Sequence, residues 1–235
     1  MSKNILIVGG SSGIGAASLD ALAEDNHIYS LTRTGCSDTP RENVIYETAD
    51  VCSDNFDISF LPDVLDAVIY CPGTINLKPF TSLSREDFQN DLNINLMGFV
   101  KVIQACIPAL KKSKNASVVA FSTVAVSQGM PYHASVAAAK GAMEGLVRSL
   151  AAEYAANHIR FNCIAPSLVN TPLASQFTKS ESKLETISKR HPLNRIGEPR
   201  DIASATKYLI SDESSWMTGQ VVHIDGGLSS IKQLT

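Results

Sequence analysis

The sequence predicts an α/β domain in which a parallel sheet is covered by helices on both faces, organised as one unit across residues 1–235. Three observations predict it. Short β-branched apolar runs recur along the chain, stretches with helical spacing separate them, and the first run ends in a glycine-rich turn. No repeat, low-complexity linker or second core interrupts the pattern. With 44% hydrophobic and 18% charged residues the chain has ample material for a core, and a net charge of −3 argues against nucleic acid or an anionic membrane as the main partner.

Asn4-Ile5-Leu6-Ile7-Val8 reads as a buried parallel strand, and residues 14–24 carry helical spacing through Ile14, Ala17, Leu19, Ala21 and Leu22. Further strands are expected at residues 27–32, 44–48, 67–71, 117–122, 161–165 and 221–224. Long amphipathic helices are expected at residues 85–110 and 137–156, the second with Met143, Leu146, Val147, Leu150 and Tyr154 on one face. Residues 171–192 are polar and follow a strand end, which marks them as a mobile lid over a substrate site within the single domain. Trp216 and Tyr208 read as core or interface anchors.

The apolar run before Gly9 is too short for a leader core or a membrane span. The five cysteines are scattered, odd in number and free of any C-x-x-C pair, as expected for reduced, mostly buried thiols in a cytoplasmic protein without a metal site.

Val8-Gly9-Gly10-Ser11-Ser12-Gly13-Ile14-Gly15 joins the first strand to the first helix. Glycines let backbone amides approach a pyrophosphate, whose charge is favoured at a helix N-terminus. The spacing of Gly9, Gly13 and Gly15 is G-x-x-x-G-x-G and resembles that of short-chain dehydrogenases/reductases. The resemblance runs on through Asp50-Val51, Asn95-Leu96-Met97-Gly98, the stretch from Arg160 to Pro166, Thr171-Pro172, the stretch from Pro192 to Pro199, and Thr218-Gly219 through Asp225-Gly226-Gly227. It implies a doubly wound Rossmann-type sheet of about seven strands that binds a nicotinamide dinucleotide. It also implies cofactor contacts from Gly9, Ser11, Ser12, Gly13, Ile14, Gly15, Thr32, Arg33, Asp50, Val51, Cys71, Pro72, Gly73, Lys140, Pro166, Val169 and Thr171. Thr32 followed by Arg33, where an acidic residue would favour NAD, suits the 2′-phosphate of NADP.

The family places a serine, a tyrosine and a lysine at the nicotinamide, the last two spaced Y-x-x-x-K. Lys140-Gly141-Ala142-Met143-Glu144-Gly145 reproduces the lysine's register, and four residues back stands Val136. Thr123, next to Ser122, takes the serine position, and Asn95 matches the helix asparagine. Tyr70-Cys71-Pro72-Gly73 stands for the usual Asn-Asn-Ala-Gly, Val8 for a threonine and Ser167 for a glycine. Residues 52–66 look shorter than is usual for the family.

Hydride added to a carbonyl leaves charge on oxygen and calls for a proton, which valine does not have. Three readings follow. Tyr132 substitutes from the preceding turn, with Pro131 starting that turn; or Ser122, Thr123, a water relay or the substrate supplies the proton; or the chain is a catalytically inactive NAD(P)-binding regulatory or assembly subunit. The leading expectation is an NAD(P)(H)-dependent oxidoreductase, NADP preferred, interconverting a carbonyl and an alcohol on a small molecule, with Lys140, Asn95, Thr123, Ser122 and Tyr132 as its catalytic candidates. Small residues on the two long helices (Gly98, Ala105, Gly141, Gly145, Ala151) permit close packing, and the resemblance implies a homodimer or homotetramer there. A methyltransferase on a similar sheet leaves the C-terminal signatures without a role.

Overall fold

The computed structural model describes residues 2–33, 35, 41–53 and 56–232. Seven strands form one parallel sheet: β1 (Asn4–Val8), β2 (His27–Thr32), β3 (Val44–Thr48), β4 (Ala67–Tyr70), β5 (Ala116–Phe121), β6 (Ile159–Pro166) and β7 (Val221–Ile224). Their spatial order is β3-β2-β1-β4-β5-β6-β7, so the winding reverses between β1 and β4. In such sheets the ligand crevice opens at the carboxyl ends of the strands beside that reversal. Ile5 pairs with both Ile28 and Ala67, and Val8 with Leu31 and Tyr70, which fixes the register at the crevice.

Helices α1 (Gly13–Leu22) and α8 (Pro199–Ile210) pack together on one face, where Ile5, Ile7 and Ile69 meet Leu19, Leu22, Ile202 and Leu209. The other face holds α3 (Gly98–Leu110) and α5 (Ala134–Tyr154), whose Phe99, Val102, Met143 and Val147 cover Leu6, Val8, Val68 and Val118. Central strands buried on both sides read as continuous apolar runs, which is why sequence pattern located them well. The described residues between β3 and β4 form no helix. Phe56, Phe60 and Leu61 pack on the core there instead, with the Phe60 ring 6.4 Å from that of Tyr29.

Residues 85–110, expected as one helix, contain a discontinuity. Helix α2 (Arg85–Leu92) begins at Ser84, whose side chain accepts from Asp87 N while Asp87 caps the Ser84 amide in return. A π turn (Asn93–Met97) then leads into α3. The Tyr70 hydroxyl donates to the Ile94 carbonyl in this turn at 2.7 Å. A Cβ on Gly98 would lie 2.3 Å from that hydroxyl and 2.8 Å from Val51, so Gly98 makes room for packing within the subunit. Gly98 and the buried Ala151 therefore leave the set of surface small residues, while Gly145 keeps open space around it. Arg85–Leu110 is long and apolar enough to cross a membrane by length and composition, yet Phe99, Val102, Ile103, Cys106 and Leu110 are spent on the sheet.

Helix α5 starts at Ala134, with His133 in the N-cap position. Pro131 does not start it, and Tyr132 lies outside the helix with a left-handed φ of 70°. Trp216 is fully exposed and Tyr208 is 42% exposed, so neither is a core anchor. The segment after β6 carries two short helices, α6 (Ser175–Thr178) and α7 (Glu181–Ser188), neither with a buried residue. The remaining helix, α4 (Val124–Ser127), follows β5.

Arg160 on β6 ties the C-terminal layers together. Its guanidinium, 6% exposed, donates to the Leu209, Met217 and Ser211 carbonyls and to Ser214 Oγ. Arg160→Ala removes these bonds from a buried guanidinium, while Ser117, Ser214 and Asn162 still donate to the same carbonyls, and chemical denaturation should show a loss of roughly 1–3 kcal/mol.

Candidate active site

The loop after β1 is built so that backbone meets backbone. Gly9 (φ +82°) and Gly13 (φ +55°) adopt left-handed conformations, and a Cβ on Gly15 would fall 2.0 Å from the Gly9 carbonyl oxygen. Side chains are excluded by this approach, which leaves the first amides of α1 facing open space. Ser12, at the N-cap, makes no side-chain cap bond, and the first turn of α1 has no acidic residue. This is a place prepared for an anion.

The amides open onto a crevice of about 490 Å³ at the β1/β4 reversal. Gly9, residues 11–15, Thr32, Arg33, Asp50, Val51, Cys71, Pro72, Gly73 and Thr171 line it, which brings together most of the dinucleotide contacts expected from sequence. At the β2 end Thr32 is buried and its hydroxyl donates to the Gly35 carbonyl at 2.9 Å, while Arg33 is exposed at the rim. Asp50 accepts from Cys52 N at 2.9 Å. Burial pushes the Cys71 thiol up to about 12, so it stays protonated at neutral pH. Thr171 presses on Gly13 (3.2 Å from its Cβ position) and caps the turn Pro172–Ala174, closing the crevice's far wall.

Pro166 and Val169 stand off the crevice: Pro166 pairs with Ile224 at the end of β6, and Val169 is buried and bridged to Gly197. Lys140 and Asn95 border it at Gly73, where a Cβ would lie 3.6 Å from Lys140 Nζ and 3.4 Å from Asn95 Oδ1. Burial lowers the Lys140 ammonium to about 8, with Cys163, Cys71 and Asp91 pulling the other way.

The remaining catalytic candidates lie apart from this point. The Ser122 hydroxyl donates to Glu144 at 2.6 Å, and Thr123 Oγ1 accepts from Ala125 N at 3.3 Å as the cap of α4. Tyr132 is 57% exposed, and its carbonyl accepts from Lys78 N at 3.2 Å. Val136, one helical turn before Lys140, is buried.

Sequence reasoning missed Asn90, Asn93, Ile94 and Cys52, which also line the crevice, and Asp91, Thr74 and Ser30 around it. Asn90 and Asp91 look in sequence like a helix's solvent face; only the π turn shows which way they point. No group of three or more metal-ligating side chains forms among the described residues.

Comparison with known proteins agrees with this geometry. The family profile described as enoyl-(acyl carrier protein) reductase matches residues 55–229. A tropinone reductase homolog of Arabidopsis thaliana is 31% identical over 247 aligned residues, covering 97% of this chain and 92% of its own. A 3-oxoacyl-[acyl-carrier-protein] reductase of Thermotoga maritima is 35% identical over 70% of this chain and 66% of its own. Among solved structures, the ligand-free aldohexose dehydrogenase of Thermoplasma acidophilum is 25% identical, with a TM-score of 0.87 over 100% of this chain and 96% of its own. ElxO with NADP bound is also 25% identical, with a TM-score of 0.86 over 98% of this chain and 100% of its own. The match across most of the chain, on a seven-stranded parallel sheet with a glycine cradle at its reversal, shows that the chain belongs to the short-chain dehydrogenase/reductase family.

Proposed function

We propose that this chain is an NADP(H)-preferring oxidoreductase that interconverts a carbonyl and an alcohol on a small molecule, working with Val136 where the family has its tyrosine. The observation that carries this reading is the crevice, whose amide-lined glycine cradle runs to Gly73, with the buried Lys140 ammonium bordering it behind that glycine. The residues fit a dinucleotide: Gly15 leaves no room for a side chain, α1 has no acidic residue in its first turn, and Arg33 is exposed at the β2 end of the crevice. When bound, the nicotinamide exchanges a hydride with the substrate carbon. The chain's own residues do the rest: the α1 amides hold the diphosphate, Arg33 meets the 2′-phosphate, Lys140 holds the sugar, and residues 171–192 close over the substrate as a lid.

Thermal shift and tryptophan fluorescence with NADP and NAD test binding. NADPH oxidation against ethyl acetoacetate, an acetoacetyl thioester, tropinone and cyclohexanone, with aldohexose oxidation as the reverse assay, tests turnover. Arg33→Ala should weaken NADP about tenfold and leave NAD binding unchanged, since one charge-assisted phosphate contact is worth roughly 1.5–3 kcal/mol before solvent screening. Equal losses for both nucleotides would refute the assignment of Arg33. A chain that binds NADPH and reduces nothing is the regulatory or assembly subunit instead.

A homodimer or homotetramer is proposed on two observations. Ala138, Ala142 and Gly145 form an exposed stripe of small residues on α5, and Met97, the last residue of the π turn, is 51% exposed. A cytoplasmic home accords with the free thiols of Cys52, Cys71, Cys106 and Cys163.

A further inference from the structure

Beside Gly73 the fold keeps polar atoms that no described residue satisfies. Asn95 is fully buried; its Nδ2 donates to Thr74 Oγ1 at 2.7 Å and to the Asp91 carbonyl at 2.8 Å, while its Oδ1 has no partner. Asp91 is 2% exposed; Oδ1 accepts the Thr74 hydroxyl at 2.6 Å and Oδ2 has no partner. Asn95 Oδ1 and Lys140 Nζ border the same small space, and Lys140 is 6% exposed. A carboxylate and a lysine buried together serve packing poorly, and orphaned buried acceptors mark a place kept ready for a donor.

The other proton sources are elsewhere. Val136 has none, the Ser122 hydroxyl is engaged as a donor to Glu144, Thr123 Oγ1 caps the Ala125 amide of α4, and Tyr132 lies outside the helix and faces solvent. Among the described residues, the side-chain atoms within 4 Å of the Cβ position at Gly73 are Asn95 Oδ1 and Lys140 Nζ, and of these two Lys140 Nζ carries the acidic proton. We propose that Lys140 Nζ itself delivers the proton to the carbonyl oxygen, and that Asp91, linked through Thr74 and Asn95, is the positioning residue that keeps the lysine charged. This rests on the oxidoreductase reading. As a hydride is accepted at the carbonyl carbon, the C=O π pair moves to oxygen. That oxygen takes a proton from Nζ, and the neutral amine left behind regains one from solvent before the next cycle.

The charged and titratable groups facing Lys140 are Asp91 on α2, Cys71 after β4 and Cys163 on β6. On its own helix Glu144 is turned to Ser122. Burial brings Lys140 to about 8, so the donor form is full below that pH and is lost as pH rises through it.

The first test needs no substrate. In protein labelled with [ε-15N]lysine, one resonance should titrate near pH 8, vanish in Lys140→Arg and move to lower pH in Asp91→Asn, which keeps the Thr74 bond. A Lys140 resonance that titrates in the ordinary lysine range overturns the proposal. The second test uses NADPH with the panel ketone of highest turnover. Wild-type kcat should fall about tenfold per pH unit above about 8. Lys140→Arg, which keeps the charge but cannot release its proton, should lose about 100-fold in kcat, with rates read at saturating NADPH so that any loss of cofactor binding is counted apart. The alkaline limb should move to lower pH in Asp91→Asn and return in Asp91→Glu. Persistence of kcat in Lys140→Arg, or a limb unmoved in Asp91→Asn, sinks the proton assignment and leaves the oxidoreductase reading standing. NADPH binding without turnover of any ketone sinks both.

Discussion

Gly15→Ala should lose NADP(H) affinity by about 100-fold or more and unfold several degrees below wild type. Its Cβ would sit 2.0 Å from the Gly9 carbonyl oxygen, 2.8 Å from the Gly9 carbonyl carbon and 3.2 Å from Gly10 Cα, all backbone atoms with no rotamer to yield. Relief requires α1 to withdraw from the end of β1, which turns its first amides away from the crevice. Overpacking of this kind costs roughly 1–3 kcal/mol in stability, and a 100-fold affinity loss is about 2.7 kcal/mol of binding. Gly145→Ala is the control: it makes the same change on a helix, with nothing within 4 Å of the added carbon, and should be neutral or slightly stabilising. Unchanged cofactor titrations for Gly15→Ala would show that the nucleotide binds somewhere else.

The second large effect is a gain. Val136→Tyr places a phenol one turn before Lys140, whose charge favours its ionised form. General acid catalysis is worth about 100- to 10,000-fold, so kcat for ketone reduction should rise by about 100-fold. Val136→Phe, which adds the ring without the hydroxyl, should show no gain and controls for the added bulk at a buried site. Initial rates and melting temperatures for the three proteins decide the matter. Equal rates for Val136→Tyr and Val136→Phe would mean that position 136 does not face the reacting oxygen.

The scaffold was legible wherever one physical cause acted alone. The bounds expected for β1, β2, β3 and β7 match those found; for β1, buried on both faces, the cause is an unbroken apolar run, and for the edge strands β3 and β7 it is their β-branched residues. The cradle was legible because only glycine tolerates φ values of +55° and +82° at Gly13 and Gly9 without strain. The π turn was hidden, since one extra residue in a helical turn shifts the apolar period too little to notice, and the Tyr70 phenol that bonds within it comes from a distant strand. That turn in turn concealed Asp91, an acid that local pattern assigns to solvent. For Gly98 the close packing lies within the subunit, against Tyr70 and Val51, and for Trp216 the core reading fails because no described residue covers it.

The passage from β3 to β4, without a helix among its described residues, has a consequence for how the molecule breathes. β3 is an edge strand, one of whose residues, Ile45, is 48% exposed. Regions with little buried apolar contact open locally at a fraction of the global unfolding free energy. Amide exchange should therefore be quickest at β3 within the sheet and slowest at β4 and β5. On that expectation the groove yields at the end beside Thr32 and Asp50 and holds firm at Gly73, and the proposed dinucleotide would have room for a bulkier base or ribose substituent without a shift at Gly73.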